Sequence, residues 1–468
     1  MIAYLPVNRG KGGRVRDLSR IFKAYDVRGI VPSELDADVA RAVGAAFVRV
    51  LAAPRVVVAR DMRGSSVPLS EAFADGAAGQ GADVIMIGLG STDLLYFAAG
   101  SLDIPGAMFT ASHNPATYNG IKLCRAGAAP IGVDSGLGDI RALVEAGVPA
   151  FTGPRGAITH RDLLAAYAEH LRTLVDLSAI RPLRLVVDAG NGMGGLTVPA
   201  VFDGLPLTVH PLYFELDGSF PHHEANPIEP ANLRDLQAAV RATGADIGLA
   251  FDGDADRCFV VDERAEGVSP STITALVAER ELAREPGATI IHNVIVSNAV
   301  PELVSRLGGV PLRTRVGHSF IKAEMARTGA VFGGEHSGHF YFRDFWRADS
   351  GMLAAMHVLA ALGEQNQPLS RLLDGYAPYA LSGEINSVVA DAGVTMAEIE
   401  KAYVGLATGI DHLDGLTVSL GGGVWFNLRP SNTEPLLRLN VEAPDHVTMS
   451  RVRDEVLTRI RPGRETDR

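Results

Sequence analysis

The chain is poor in cysteine. Cys124 and Cys258 are the only two in 468 residues. Two cannot build a disulfide framework, and no Cys cluster is present for a structural zinc site, so a reducing cytoplasm is the expected compartment. Long hydrophobic runs are missing as well. Nothing approaches the ~20 consecutive apolar residues of a membrane span. The most apolar stretch, residues 351–363, is short, carries His357 and reads as a buried helix. Basic excess is absent too: the formal charge of −11 excludes a nucleic-acid-binding face, while leaving room for a local basic pocket. Arg9, Lys11, Arg14 and Arg16 have no apolar segment behind them, so residues 1–17 read as a flexible leader and not as a secretory signal.

What is present is ordinary for a globular enzyme, with 47% apolar and 21% charged residues in a length that suits about three domains. Helix and strand signals alternate. Ser33-Glu34 offers a helix start, and Leu35, Val39, Val43, Phe47 and Leu51 repeat on one face. Apolar strand-like runs follow at residues 55–59, 83–87 and 106–109. A second round has a helix over 161–174, a strand over 183–188, a glycine-rich turn at 189–195, a helix stopped at Gly244 and a strand at 247–251. A third begins near Pro270 and ends where residues 330–332 run into 333–339. Repeated βα alternation predicts parallel or mixed sheets covered on both faces. From Tyr376 onward strand-like runs dominate, followed by one amphipathic helix through Val452, Val456 and Ile460. The expected fold class is therefore α/β: domains over 18–155, 156–265 and 266–375, then a small α+β domain over 376–468.

Each α/β block ends its chemistry on a loop after a strand, where such folds place ligands. Asp252, Asp254 and Asp256 alternate directly behind the 247–251 run. Three like charges so close repel unless a cation lies between them, and Mg²⁺ is the first candidate. Ser112, with His113 and Asn114 beside it and Pro115 closing the turn, has no GxSxG context, and reads as a phosphoryl-carrying serine whose oxygen completes the metal shell. Glu335 and Ser337, in the glycine-flexed loop 333–339, can bond adjacent sugar hydroxyls; His336 and His339 lack zinc-site spacing. Arg429, Ser431, Asn432 and Thr433 form a cradle for a phosphate dianion, and Arg28 adds a second phosphate contact. Gly190, Gly192 and Gly194 lack dinucleotide-site spacing and read as a tight turn. Taken singly, each of these segments is also compatible with an ordinary polar turn.

Together, residues 23–29, 110–115, 252–257, 333–339 and 429–435 resemble the α-D-phosphohexomutase superfamily, in the same order and from about Ile21 to the end of the chain. The resemblance implies three related α/β domains and a C-terminal TATA-box-binding-protein-like α+β domain around a central cleft. The run from Gly334 to Phe345, then Asp349-Ser-Gly351, is most similar to the bacterial phosphomannomutase branch. His336 in the sugar loop and Asn432 in the phosphate loop separate it from phosphoglucosamine mutases.

The resemblance implies roles residue by residue. Ser112 is the phosphoserine, and it holds Mg²⁺ together with Asp252, Asp254 and Asp256. His113 and Arg28 are expected among the catalytic residues with Ser112. Arg257 and His318 contact substrate near the reacting end, and Glu335 and Ser337 grip sugar hydroxyls. Arg429, Ser431, Asn432 and Thr433, with Tyr25, clamp the phosphate that does not react. Lys122 and His339 transfer protons. Relatives often carry Lys or Arg where this chain has Ile295, and Met where it has His336.

The expected reaction interconverts mannose 6-phosphate and mannose 1-phosphate through a 1,6-bisphosphate that turns end over end. Glucose or mannose 1,6-bisphosphate is the activator, and the product feeds GDP-mannose synthesis. Hexose phosphates are the expected partners, with no nucleic acid or membrane, in a monomer or homodimer. The alternatives are dual or mainly phosphoglucomutase activity, phosphoglucosamine mutase activity, a phosphatase acting through the same serine, and a non-catalytic sugar-phosphate-binding protein.

Overall fold

The first α/β layer begins with the strand Asp26–Ile30 and is built around the apolar strands Arg55–Arg60, Asp83–Leu89 and Gly106–Phe109. In this computed structural model the described residues are 17–430 and 436–461. They form two compact units. One runs to Val268 and includes Ser337–Ser370; the other comprises Ser269–His336 and resumes at Arg371. Apart from Asp17, the expected leader lies outside the described residues, as do Ser431, Asn432 and Thr433.

In the first unit a six-stranded sheet has the order Asp26–Ile30, Tyr118–Cys124, Gly106–Phe109, Arg55–Arg60, Asp83–Leu89, Ile158–His160. Its central pairings are parallel. Tyr118–Cys124 runs antiparallel to both of its neighbours, so the sheet is mixed. The helix Ala37–Leu51 buries Val39, Val43 and Phe47 as their spacing requires, but it starts later than Ser33. Asp36 is the cap: its carboxylate accepts from Val39 N–H at 3.0 Å and satisfies a donor that helix geometry leaves open.

A five-stranded sheet follows, ordered Gly267–Val268, Cys258–Asp262, Ile247–Phe251, Leu183–Asp188, Leu207–Leu212. Ile247–Phe251 is buried at every position and pairs parallel to Leu183–Asp188, so its C-terminal end opens into the aspartate loop. Helix Arg234–Thr243 stops at Gly244, which takes the left-handed conformation (φ 60°) that ends helices. The same unit holds the hairpin Phe340–Phe342 and Ala348–Asp349, and the buried helix Gly351–Gly363.

In the second unit Val310–Thr314, Thr289–Asn293 and Phe332–Gly334 lie side by side, all parallel. The C-terminal sheet is antiparallel and centred on Leu436–Ala443, which pairs with Val424–Pro430, Ile385–Val388 and Ala380–Leu381. Two helices pack on it. His446–Ile460 carries the expected Val452, Val456 and Ile460, and Ala392–Tyr403 contributes Ile399 and Tyr403 to the same core. The sequence reading has one helix here. It misses the other because only Ile399 and Tyr403 of that segment are buried, too few to repeat. No helix among the described residues is long and apolar enough to cross a membrane.

Candidate functional site

Ser112 lies in the turn after Gly106–Phe109 with φ +51°, a left-handed backbone that side chains rarely adopt and that marks a turn held by its surroundings. The hydroxyl of Thr110 accepts from its N–H at 2.9 Å. The Ser112 hydroxyl donates to Asp252 Oδ2 at 2.8 Å, joining the turn to the end of Ile247–Phe251. Close approach of the two loops needs Gly253, since a Cβ there would stand 2.5 Å from the Ser112 carbonyl oxygen.

Asp252, Asp254 and Asp256 are all buried, with ligand oxygens within 4.8 Å of one another. Asp252 is also held by Arg257, whose Nε donates to Oδ2 at 2.8 Å. Lys122 Nζ donates to Asp254 Oδ2 at 2.7 Å and to Asp256 Oδ2 at 2.6 Å. Thr92 grips Asp254 twice, through its hydroxyl at 2.6 Å and through its N–H to the Asp254 carbonyl at 3.0 Å. Oδ1 of Asp254 and Oδ1 of Asp256 remain buried without a hydrogen-bond partner. Orphaned buried carboxylate oxygens are costly, and an oxygen-seeking cation is the ligand that such a set satisfies. Three carboxylates against Lys122 and Arg257 also leave the loop short of positive charge. The triplet could hold a metal.

Burial and the neighbouring carboxylates push Asp252 up to about 6, against the pull of Arg257. Burial works the same way on Asp254, but Lys122 and the Thr92 hydrogen bond outweigh it and hold that carboxyl below the usual range. Lys122 is the reciprocal case. Burial disfavours its charge, yet Asp254 and Asp256 raise it well above an ordinary lysine.

His113 Nδ1 lies 3.1 Å from Ser112 Oγ and is contacted by Arg257 Nη2. Burial, with Arg257 and Arg28, holds this imidazole well below its usual value and favours its neutral form. Arg28 Nη1 donates to Asn114 Oδ1 at 2.7 Å, on the same turn. His339 forms a β-bridge with Arg257. Its Nδ1 is 3.0 Å from Asp349 Oδ2 and 3.8 Å from Asp256 Oδ1. Burial opposes charge there, but Asp256 and Asp349 prevail and raise it. The first unit therefore gathers Ser112, His113, Arg28, Lys122, the three aspartates, Arg257 and His339 around one turn. Half-buried Tyr25 and Ser337 belong to the same unit.

In the second unit Glu335 is buried, and its Oε1 accepts from Gly317 N–H at 3.0 Å and Asn293 Nδ2 at 3.2 Å. That contact ties Glu335 to the turn that opens helix His318–Thr328, which starts with His318 itself. Burial lowers His336, with Arg429 acting in the same direction. Ile295 is buried; its N–H donates to Asn293 Oδ1 at 3.2 Å. Arg429, at the end of Val424–Pro430, is also buried, and Nη2 donates to Glu384 Oε2 at 3.1 Å with Asp414 Oδ2 3.9 Å from Nη1.

Models of the phosphoglucomutase/phosphomannomutase family match along the chain: α/β/α domain I at residues 19–147, domain II at 165–267, domain III at 269–379 and the C-terminal domain at 384–459. The chain belongs to this family. The phosphohexose mutases of Xanthomonas campestris pv. campestris are 40% identical over 445 residues, covering 94% of this chain and 99% of the relative. An Escherichia coli phosphomannomutase is 40% identical over 452 residues, covering 94% and 99%. Among solved structures, a phosphoglucomutase/phosphomannomutase family protein from Burkholderia thailandensis superposes with a TM-score of 0.86 at 35% identity, covering 95% of this chain and 98% of that one. Within the family frame Ser112 falls in domain I, the aspartates in domain II, Glu335 in domain III and Arg429 in the C-terminal domain.

Three residues at the site escape the sequence reading: Arg63, Thr92 and Asp349. Arg63 follows Asp61 directly behind the strand Arg55–Arg60, a strand-end position that could have flagged it. Asp349 stands in the 349–351 segment whose likeness to one branch is legible, but its hydrogen bond to His339 is not. Thr92 carries no local signal.

Proposed function

We propose that this chain interconverts hexose 6-phosphates and hexose 1-phosphates, with mannose phosphates as principal substrate, using Ser112 as a reusable phosphoryl carrier. The observation that carries the reading is the Ser112 hydroxyl, in a left-handed turn, 2.8 Å from the first carboxylate of a buried triplet with orphaned oxygens. Names borne by relatives about 40% identical over nearly full length support the mannose assignment. The Xanthomonas relatives carry the broader name phosphohexose mutases, which accords with a second hexose phosphate as substrate, glucose phosphate being our candidate.

Asp252, Asp254 and Asp256, with an oxygen of the serine phosphate, would hold Mg²⁺, which when bound neutralises charge on the phosphoryl group. In the first half-reaction the bond from phosphorus to Ser112 Oγ breaks as one forms to the free hydroxyl oxygen of the sugar monophosphate. That hydroxyl gives its proton to a base, and the product is a 1,6-bisphosphate. After the bisphosphate turns over, the other phosphoryl returns to Ser112 and the new hydroxyl is protonated. Phosphoryl transfer of this kind depends on positioning and charge neutralisation, which Arg257 and Lys122 supply beside the serine.

Of the two proton-transfer candidates, the chemistry of its partners favours His339. A neutral His339 donates Nδ1–H to Asp349, since a carboxylate only accepts, and this leaves the lone pair on Nε2. Asp256 and Asp349 raise its affinity for a proton against burial, which favours uptake of the proton from the substrate hydroxyl. Lys122, held by two carboxylates, stays an ammonium and acts as a fixed charge. Arg429, with Ser431, Asn432, Thr433 and Tyr25, would clamp the phosphate that does not react, and His318, Glu335 and Ser337 would read the sugar. Cys124 and Cys258, buried and not joined in a disulfide, accord with a cytoplasmic setting.

The test is a coupled assay on mannose 1-phosphate, glucose 1-phosphate and glucosamine 1-phosphate with Mg²⁺ and a hexose 1,6-bisphosphate. The fastest turnover is expected with mannose 1-phosphate. Release of inorganic phosphate without sugar-phosphate isomer, or normal turnover by Ser112→Ala, would defeat the reading.

A further inference from the structure

The guanidinium of Arg63 spends all five of its N–H donors inside the protein. Nε donates to Asp61 Oδ2 at 3.2 Å. Nη1 donates to the carbonyls of Pro115 at 2.9 Å and Tyr118 at 3.1 Å, and Nη2 to those of Ser112 at 2.9 Å and Asn114 at 2.7 Å. Three of the five bonds therefore go to backbone oxygens of the turn that carries Ser112, Ser112's own among them, and a fourth goes to the first residue of the strand Tyr118–Cys124 that follows. Arg63 is 1% exposed and Asp61 0% exposed. Asp61 fixes the arginine a second time by accepting from its backbone N–H at 3.0 Å. The ring of Phe220 covers the guanidinium with its centroid 5.0 Å from Cζ. Gly218 lies so close that a Cβ there would be 2.5 Å from Arg63 Cα.

The Pro115 carbonyl also accepts from Tyr118 N–H at 3.0 Å. The Ser112 and Asn114 carbonyls sit in a turn that offers them no helix or sheet partner, and left alone they would rearrange to reach water. One planar fork with five donors meets that need; an ammonium with three donors does not. The side chains that Arg63 contacts among the described residues are Asp61 and Phe220, neither of them in the serine or aspartate loop. Arg63 acts on the Ser112 backbone from behind, while Gly253 approaches the same carbonyl from the aspartate loop.

We propose that Arg63 is the positioning residue of the nucleophile, holding the Ser112 turn in its left-handed form so that Oγ meets the aspartate triplet. This rests on the reading of Ser112 as the phosphoryl carrier. A cavity of about 520 Å³ runs past Met62 and Gly64 on either side of Arg63, and past Ala116 and Thr117 on the serine loop. A small guanidinium compound added to Arg63→Ala tests whether the space left by the truncated side chain can be reached from that cavity.

The experiment compares Arg63→Ala, Arg63→Lys and Ser112→Ala by steady-state kinetics with mannose 1-phosphate, and by the rate of phosphate incorporation from a hexose 1,6-bisphosphate followed by intact mass. Misplacement of the nucleophile by about 1 Å predicts a kcat loss on the order of 100-fold in Arg63→Ala, with KM within about threefold of wild type. Arg63→Lys should fall between the two, and relief of the Arg63→Ala loss by methylguanidinium would add support. Wild-type kcat per folded molecule in Arg63→Ala would overturn the proposal, as would a defect confined to KM. If that variant does not fold because Asp61 loses its partner, Arg63→Lys decides: a folded Arg63→Lys with wild-type kcat and incorporation rate also overturns it. Ser112→Ala separates the two readings, since normal phosphate incorporation there would remove the carrier itself, whatever Arg63 does.

Discussion

Lys122 Nζ stands 2.7 Å from Asp254 Oδ2, an ion pair between residues 132 positions apart. Lys122 is placed by strand register, opposite Asp26 on one side and Met108 on the other. The pair explains how a buried aspartate stays ionised at the loop, and it leaves Lys122 permanently charged. Lys122→Met should therefore lower kcat by about a hundredfold or more, as lost stabilisation of developing charge, with a much smaller change in KM. Steady-state kinetics on mannose 1-phosphate measure both.

The orphaned Oδ1 atoms of Asp254 and Asp256 predict a divalent-cation effect that needs no turnover. Mg²⁺ at a hundred times its dissociation constant should stabilise the fold by about 2.7 kcal/mol, read as a rise in melting temperature. Asp256→Asn should shrink that rise, and chelation should reverse it in the wild type. An equal rise in wild type and variant would place the ion elsewhere.

Arg429 is buried with Glu384 and Asp414 as its partners. As a phosphate clamp serving both orientations of the bisphosphate, it should contribute to binding in each. Arg429→Ala is expected to raise KM at least about thirtyfold, the equivalent of about 2 kcal/mol, with kcat changed far less. A near-normal KM would remove the clamp from the account.

His292 gives a pH prediction away from the chemistry. Burial lowers this imidazole from its ordinary 6.5 to about 4. The unfolded chain binds the proton between those values and the folded chain does not, so its contribution is intact above pH 6.5 and is lost as the pH falls toward 4. Across that window the difference is roughly 3 kcal/mol. His292→Gln should flatten the stability profile between pH 4 and 6.5, measured by denaturant unfolding at several pH values; an unchanged slope would contradict it.

Much of the fold is legible in local pattern. Leu35, Val39, Val43 and Phe47 mark a helix, and Ile247 to Phe251 mark a buried strand, because burial repeats with the period of each element. Errors arise where the pattern is thin. The start at Asp36 depends on one capping bond, and Ala392–Tyr403 buries too few side chains to show a period. The antiparallel course of Tyr118–Cys124 is equally hidden, since strand direction depends on the partners and not on the strand's own residues.

The sequence by itself determined the element types, the aspartate triplet, the serine turn and membership of a superfamily, because residue identity and short spacing carry those features. Only the tertiary structure decided that Lys122 lies between Asp254 and Asp256, that Asp349 holds His339, and that Arg63 gathers three carbonyls of the serine turn and one of the strand behind it. Those contacts join residues distant in the chain through strand register and loop approach. They follow from how complete sheets and loops pack, and no local run of residues encodes that.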